Sequence, residues 1–434
     1  MRHYLTLLVQ AALLAIPLCA QQAGGLPAAN QPDNAALMQK ILDLEDRMVA
    51  MEGEIRQLKT QPPASATTSA AAAGAGAQTP VPPQVSTAPT QEGALQEPNL
   101  GGAGGSAAKA LNPDISMIGD FIGVAGHNPV NPSPSFQMHE SELGVQAIID
   151  PYARGDFFLS FGEEGVNLEE GYITLTALPA GFVAKVGKFR GAFGKVNTMH
   201  NHVLPWVDRP LVTNNLVAGE DGIDDAGVSV QRILPAPKGI FMELVGQVFR
   251  GDSGDQQHPL FQAVNNSDVS AVGHLRAYKD ITESTNIDLG ASYSRGHNDA
   301  GPNLLTQLYG IDATLRWKPL RRSIYHSFVG RGELIWSQRQ QLPSEQRAFG
   351  FYASGDYQLG RRWFVGARYD RAGEARNAGL IDNGVSAVLT YWPSEFSQIR
   401  GQYEFTRYAG TNIDTNQLFM QVQFSLGAHG AHPF

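Results

Sequence analysis

The chain has 434 residues, a formal net charge of −9 and a slightly negative mean hydropathy of −0.20. The acidic surplus argues against nucleic acid as a partner. A single cysteine, Cys19, rules out a disulfide framework.

Residues 1–20, MRHYLTLLVQAALLAIPLCA, join a basic start to an apolar run from Leu5 to Leu18. The run is too short to span a bilayer and ends in small residues, which reads as a secretory signal cleaved after Ala20. Acylation at Cys19 is the alternative, disfavoured by Leu18 where a small residue is expected. No later stretch contains the ~20 consecutive apolar residues of a membrane helix. A membrane location would therefore require a closed barrel, in which every backbone polar group is paired internally.

Residues 35–59 place Leu37, Ile41, Leu44, Met48, Met51, Ile55 and Leu58 at alternating intervals of four and three, a heptad seam. Lys40 with Glu45 and Arg47 with Glu52 fall at g and e′, attractive between parallel chains. The spacing predicts a short coiled-coil helix supporting an oligomer. Residues 60–111 are Ala, Gly, Pro, Thr and Ser in low-complexity runs and read as a flexible linker that could cross periplasmic space or engage the cell wall.

Residues 112–434 change period. QLFMQVQFSL sets Leu418, Met420, Val422, Phe424 and Leu426 on one face, and Gln417, Gln421, Gln423 and Ser425 on the other. YASGDYQLG, QLYGIDATLRW, HSFVGRGELIW and SQIRGQYEFTR alternate in the same way. Sixteen strands are predicted, beginning near Ile115, Phe136, Arg154, Glu169, Phe182, Gly227, Gly239, Ser270, Thr285, Thr306, Ser323, Ala348, Arg362, Gly384, Ser397 and Gln417. Short turns such as DPYA, LPAG and LGRR alternate with longer stretches, including 190–226, 250–268 and 371–383. Trp317, Trp336, Trp363 and Trp392 fall at or near strand ends, and the chain closes on Phe434. Apolar-out, polar-in strands with alternating loop lengths and interfacial tryptophans predict an all-β fold, a transmembrane antiparallel β-barrel with periplasmic termini. A soluble sandwich also alternates, but has no need of polar residues on every inward face.

A barrel of this size is wide enough to hold water, which makes a diffusion pore the expected function. The longest loop, 190–226, and the strand before it carry Lys185, Lys188, Arg190, Lys195 and Arg209. Folded inward, these would attract anions at the narrowest point. The alternative is that they pair with nearby Glu163, Glu164, Glu169, Glu170, Glu220, Asp221, Asp224 and Asp225. Further along, Arg276, Arg316, Arg331, Arg368 and Arg400 fall on inward faces as lumen-lining groups, mixed with Asp288, Asp312, Glu333, Asp356 and Glu404.

GKFRGAFGKVN followed by WVDRP resembles the phosphate-selective (O/P type) porin family of outer-membrane barrels. The resemblance extends to the overall plan of signal, helical segment and sixteen-stranded barrel. It implies a homotrimer in the outer membrane that takes up anions, phosphate among them, without a cofactor. One departure is plain. That family lines its lumen with lysines, whereas residues 112–434 here hold six lysines among 26 basic and 33 acidic residues.

His200 and His202, two apart in MHNHV, could share a metal such as zinc, and His429 and His432 lie in AHGAHPF. A metal-receptor barrel would need a plug and about twenty-two strands, more than this chain can supply. No GxSxG, HExxH or P-loop is present, so no catalytic residue is assigned and the pairs Glu163–Glu164 and Glu169–Glu170 read as polar loop and strand start. A wall-tethering protein with a plugged barrel is the remaining alternative.

Overall fold

The computed structural model describes residues 113–427 except 163–164 and 256–257. The expected signal (1–20), coiled-coil helix (35–59) and linker (60–111) lie outside the described residues, as do Glu163, Glu164, His429, His432 and Phe434. Sixteen strands follow in order: β1 Asp114–His127, β2 Phe136–Asp150, β3 Ala153–Gly162, β4 Gly165–Leu175, β5 Phe182–Arg190, β6 Asp224–Leu234, β7 Ile240–Phe249 and β8 Ser270–Thr282. They continue as β9 Thr285–His297, β10 Leu305–Trp317, β11 Phe328–Arg339, β12 Gln346–Gly360, β13 Trp363–Gly373, β14 Ile381–Ser394, β15 Ser397–Tyr408 and β16 Ile413–Gly427.

Each strand pairs antiparallel with its sequence neighbour, and β1 pairs with β16 from Ser116↔Gly427 to His127↔Asn416. The sheet is thereby closed and has no free edge, the condition for crossing lipid. The side-chain period of two then sorts each strand. On β16, Leu418, Met420, Phe424 and Leu426 are exposed to the outside, and Gln417, Gln421, Gln423 and Ser425 are buried inside. Trp363 stacks near Tyr391 with ring centroids 4.5 Å apart, and Trp336 near Phe349 at 5.1 Å, both on the outer surface. At the closure, Gly119 of β1 leaves room for Phe424. A Cβ there would come within 2.4 Å of the ring, so the aromatic lies flat over the seam.

All sixteen expected strands are present, with starts within four residues of expectation except at β11. β11 starts at Phe328 rather than near Ser323, because residues 320–325 form a turn in which the Arg322 carbonyl accepts from the Tyr325 and His326 amides. The connection β3–β4 is also very short, between Gly162 and Gly165, although it lies on the long-loop side.

Met420 sits at the middle of β16, 55% exposed and flanked across both ladders by Gly123 and Gly401. Met420→Arg is expected to destabilise the folded barrel by about 2–4 kcal/mol, the cost of a cation at bilayer mid-depth. Reversible urea unfolding in lipid vesicles measures it. A cost under 0.5 kcal/mol, typical of a surface change in water, would contradict a lipid-facing outer surface.

Candidate functional site

The connection between β5 and β6 folds into the barrel. Its two ends are stapled by Asn197, whose Nδ2 donates to the carbonyls of Gly191 (2.8 Å) and Ile223 (3.1 Å) while its Oδ1 accepts from the Ile223 amide at 2.9 Å. From there the chain crosses to the far wall. The Glu333 carboxylate of β11 accepts the amides of Lys195 at 2.7 Å and Val196 at 2.8 Å, next to Gly194 in a left-handed conformation (φ 61°). A side chain at Gly194 would strike that carboxylate. Two charge-assisted backbone hydrogen bonds compensate an otherwise buried anion.

Past this anchor the loop forms a short helix, α1 (Leu211–Val217), whose Leu211, Val212, Leu216 and Val217 are buried against the inner wall. The wall accommodates it with small residues on inward faces: Ala348 and Gly350 of β12, Ala372 of β13 and Gly384 of β14. Phe193, Val196, Leu204 and Trp206 extend the same apolar cluster onto Leu308, Ile335, Tyr352 and Val388 of the strands. The inner wall is therefore not uniformly polar. It turns apolar where the loop lies on it.

The structure scatters the five cations of the expected constriction. Lys185 rests over the Tyr172 ring, 4.4 Å from its centroid. Lys188 falls on the strand parity of outward-facing Val186 and is spent on the Asp224 carboxylate (2.8 Å) and the Leu168 carbonyl (2.5 Å). Arg190 is buried, donating to the Glu220 carbonyl at 2.7 Å and lying 3.6 Å from Glu169. Arg209 is buried too, its guanidinium donating to the carbonyls of Val196 and Met199 and to Asn201 Oδ1. It holds the loop's own shape and faces no solute. Lys195 alone reaches across the lumen, to Asp288 of β9 at 2.9 Å.

The lumen arginines divide as well. Arg368 lies under Trp206, 4.9 Å from the ring, and pairs with Asp208 of the loop and Asp370. Arg400 donates to the Trp206 carbonyl at 3.0 Å and to Gln421 at 2.9 Å. Both are covered by the loop, so they do not line the open lumen as expected. Arg276, Arg316 and Arg331 remain. Arg276 grips Asp288 through two nitrogens at 2.8–2.9 Å, Arg316 approaches it at 3.9 Å, and Arg331 pairs with Asp356. Asp288 thus faces three cations. Its side chain is 0% exposed, whereas those of Arg276 and Arg316 are 35% and 44% exposed. At Asp288 the carboxylate lies beneath and the guanidiniums of Arg276 and Arg316 on top.

The opposite wall is acidic. Glu140, Glu142, Glu169 and Glu170 of β2 and β4 surround His200 of the loop, with His202 close by and Asp120 of β1 beside His139. Burial alone would favour a neutral His200 ring. Hydrogen bonds with Glu142, Glu169 and Glu170 outweigh it and push the pKa up to about 12.

These features define a membrane-spanning barrel with an inward-folded loop between an acidic wall and a wall where exposed arginines stand over a buried carboxylate. No family model matches the chain. An uncharacterized protein of Aquifex aeolicus (strain VF5) is 27% identical over 386 residues, covering 75% of this chain and 81% of that protein. Among solved structures, the anion-selective porin from Comamonas acidovorans superposes with a TM-score of 0.52 at 11% identity, covering 73% of this chain and 99% of its own. OmpF of Salmonella typhi, in complex with daunomycin, reaches 0.49 at 9% identity over 74% of this chain. At such identities the likeness is one of fold, and it is the first of these that carries it.

The packing of α1 has a testable consequence. A Cβ at Gly350 would lie 2.8 Å from Val212 Cγ2, whereas a Cβ at Gly246, on the outward face, meets nothing within 4 Å. Gly350→Val is expected to dislodge α1 at a cost of about 1–3 kcal/mol and to expose 211–217 to protease in an otherwise folded barrel, unlike Gly246→Val. Equal resistance in both variants would show that the helix does not depend on this contact.

Proposed function

We propose that the protein is an outer-membrane porin that passes small polar solutes by diffusion and favours anions. The observation that carries this reading is the layered charge on the wall of β8 to β11. Solvent-facing Arg276 and Arg316, with Lys195 from the loop, stand over the fully buried Asp288. A solute passing this wall meets the cations first, and in a narrow low-dielectric lumen their field is screened less than on an open surface. The porin with the same fold from Comamonas acidovorans is itself anion-selective, in support. The work is done by pore width and fixed charge, and no covalent chemistry is invoked.

Phosphate is the anion we favour as a physiological solute, through the GKFRGAFGKVN and WVDRP resemblance, with arginines taking the part that lysines play in that family. Arginine's planar fork suits bidentate phosphate contacts. The same resemblance supports a homotrimer, and the coiled-coil seam of 35–59 would sit on the periplasmic side and reinforce it.

Refolded protein in a planar bilayer under a KCl gradient tests the reading. The expected reversal potential is that of an anion-preferring channel, with conductance lost in groups of three steps. Replacing Arg276 and Arg316 together with Gln should lower the anion-to-cation permeability ratio several-fold. Arg347→Gln, whose side chain is 68% exposed and pairs with Glu345, should leave it unchanged. Cation preference in the unaltered protein would remove the role given to this wall, and a folded barrel without conductance would favour a plugged, wall-tethering protein.

A further inference from the structure

The acidic wall holds more than the porin reading uses. His200 Nδ1 lies 2.7 Å from Glu142 Oε2 and 2.8 Å from Glu169 Oε2, and its Nε2 lies 3.0 Å from Glu170 Oε2. His202 Nδ1 lies 3.5 Å from the same Glu142 oxygen. One donor atom from each of Glu140, Glu142, His200 and His202 can be chosen so that all lie within 4.8 Å of one another, and all four side chains are buried or nearly so. The 3-10 turn Asn201–Val203 follows His200 directly and brings both rings, at 5.7 Å between centroids, to the same side of the loop.

Glu140 is the second and independent observation. It is 5% exposed, and neither of its carboxylate oxygens has a hydrogen-bond partner. A buried carboxylate left this way costs several kcal/mol unless something compensates it. The nearby arginines are committed elsewhere: Arg209 to loop carbonyls, Arg190 to Glu220 and Glu169. Glu140 can be satisfied by a proton shared with Glu169 or by a cation among the four donors.

We propose that Glu140, Glu142, His200 and His202 form a binding site for a divalent transition metal of the zinc type, with Glu170 orienting the His200 ring through its Nε2. Two imidazoles with two carboxylates suit zinc. Calcium and magnesium favour all-oxygen shells, and copper(I) favours sulfur. Donors within 4.8 Å of one another need to close by about 1 Å to reach zinc bonds of ~2.0–2.2 Å. Two ligands come from β2 and two from the loop. The metal would therefore tie the inward-folded loop to the wall at the end opposite the Lys195–Asp288 contact. The site does not depend on which ions the barrel conducts.

The test is zinc binding to the refolded, chelator-treated full chain in detergent, followed by calorimetry and by metal analysis after dialysis. One zinc per chain is expected. Glu140→Gln and His202→Gln should each weaken binding by about tenfold or more, while His429→Ala with His432→Ala keeps it. Heat-modifiable migration on gels verifies that each variant remains a barrel. In the unaltered protein, zinc should also slow proteolysis between residues 198 and 204, and X-ray absorption of the loaded sample should show nitrogen and oxygen ligands with imidazole scattering. No retained zinc, or zinc that Glu140→Gln and His202→Gln hold as tightly as the parent, overturns the site and leaves a shared proton at Glu140. Binding of calcium in preference to zinc overturns the metal class.

Discussion

In hydrocarbon, an unpaired backbone N–H or C=O costs several kcal/mol, and that constraint shapes the rest of this molecule. It forces the ladder to close between β1 and β16, from Ser116↔Gly427 to His127↔Asn416. Closure fixes which side of each strand meets lipid, because successive side chains point to opposite faces. Every second residue must then face inward, and the interior inherits the acidic and basic groups that lipid would reject. What occupies that interior is the remaining structural question, and here it is the loop between β5 and β6 that answers it.

The loop could not fold inward on apolar contacts alone, since its irregular backbone carries amides that need partners. Lumen side chains supply them. Glu333 takes the Lys195 and Val196 amides, Gln402 takes that of Val207 at 2.8 Å, and Gln423 donates to the His202 carbonyl at 2.8 Å. Each such group, left buried without a partner, would cost about 1–3 kcal/mol. Inward charge in this barrel therefore has two uses. Some of it faces the lumen as Arg276 and Arg316 do, and some is consumed in holding the loop, as with Glu333, Arg368 and Arg400. Arginines that look equivalent along the strands differ because the loop covers two of them.

The strands were legible because lipid on one side and water or polar loop on the other impose a period of two over ten or more residues. The start of β11 was not, since Ile324 and Tyr325 are strand-favouring residues while the backbone there turns through hydrogen bonds to Arg322. Part of the loop's fate was also written in the chain. Phe193, Val196, Leu204, Trp206, Leu211 and Leu216 are too many large apolar groups for a loop in water, and Gly350, Ala372 and Leu308 break the polar inward pattern where it lies. The opposed directions of Lys185 and Lys188 follow from their spacing of three on a strand, which net local charge obscures. The commitment of Arg209 to three loop acceptors, and the meeting of Glu140 with His202 from distant segments, depend on how the loop folds and leave no mark in local sequence.

Lys195 and His200 are five residues apart on the loop, yet each reaches a different wall. Lys195 joins Arg276 and Arg316 at Asp288, and His200 enters the carboxylates of β2 and β4. The short segment between them spans the two walls and is held at each end by a basic loop side chain against wall carboxylates. Asp288 consequently does two things at once: it offsets the cations that face the lumen and it anchors the loop that narrows the lumen. The charge facing the lumen and the position of the loop share this carboxylate, so a substitution there changes both. The apolar cluster around α1 has no charge in that exchange. It fixes the loop's depth, while the two walls fix its position across the barrel.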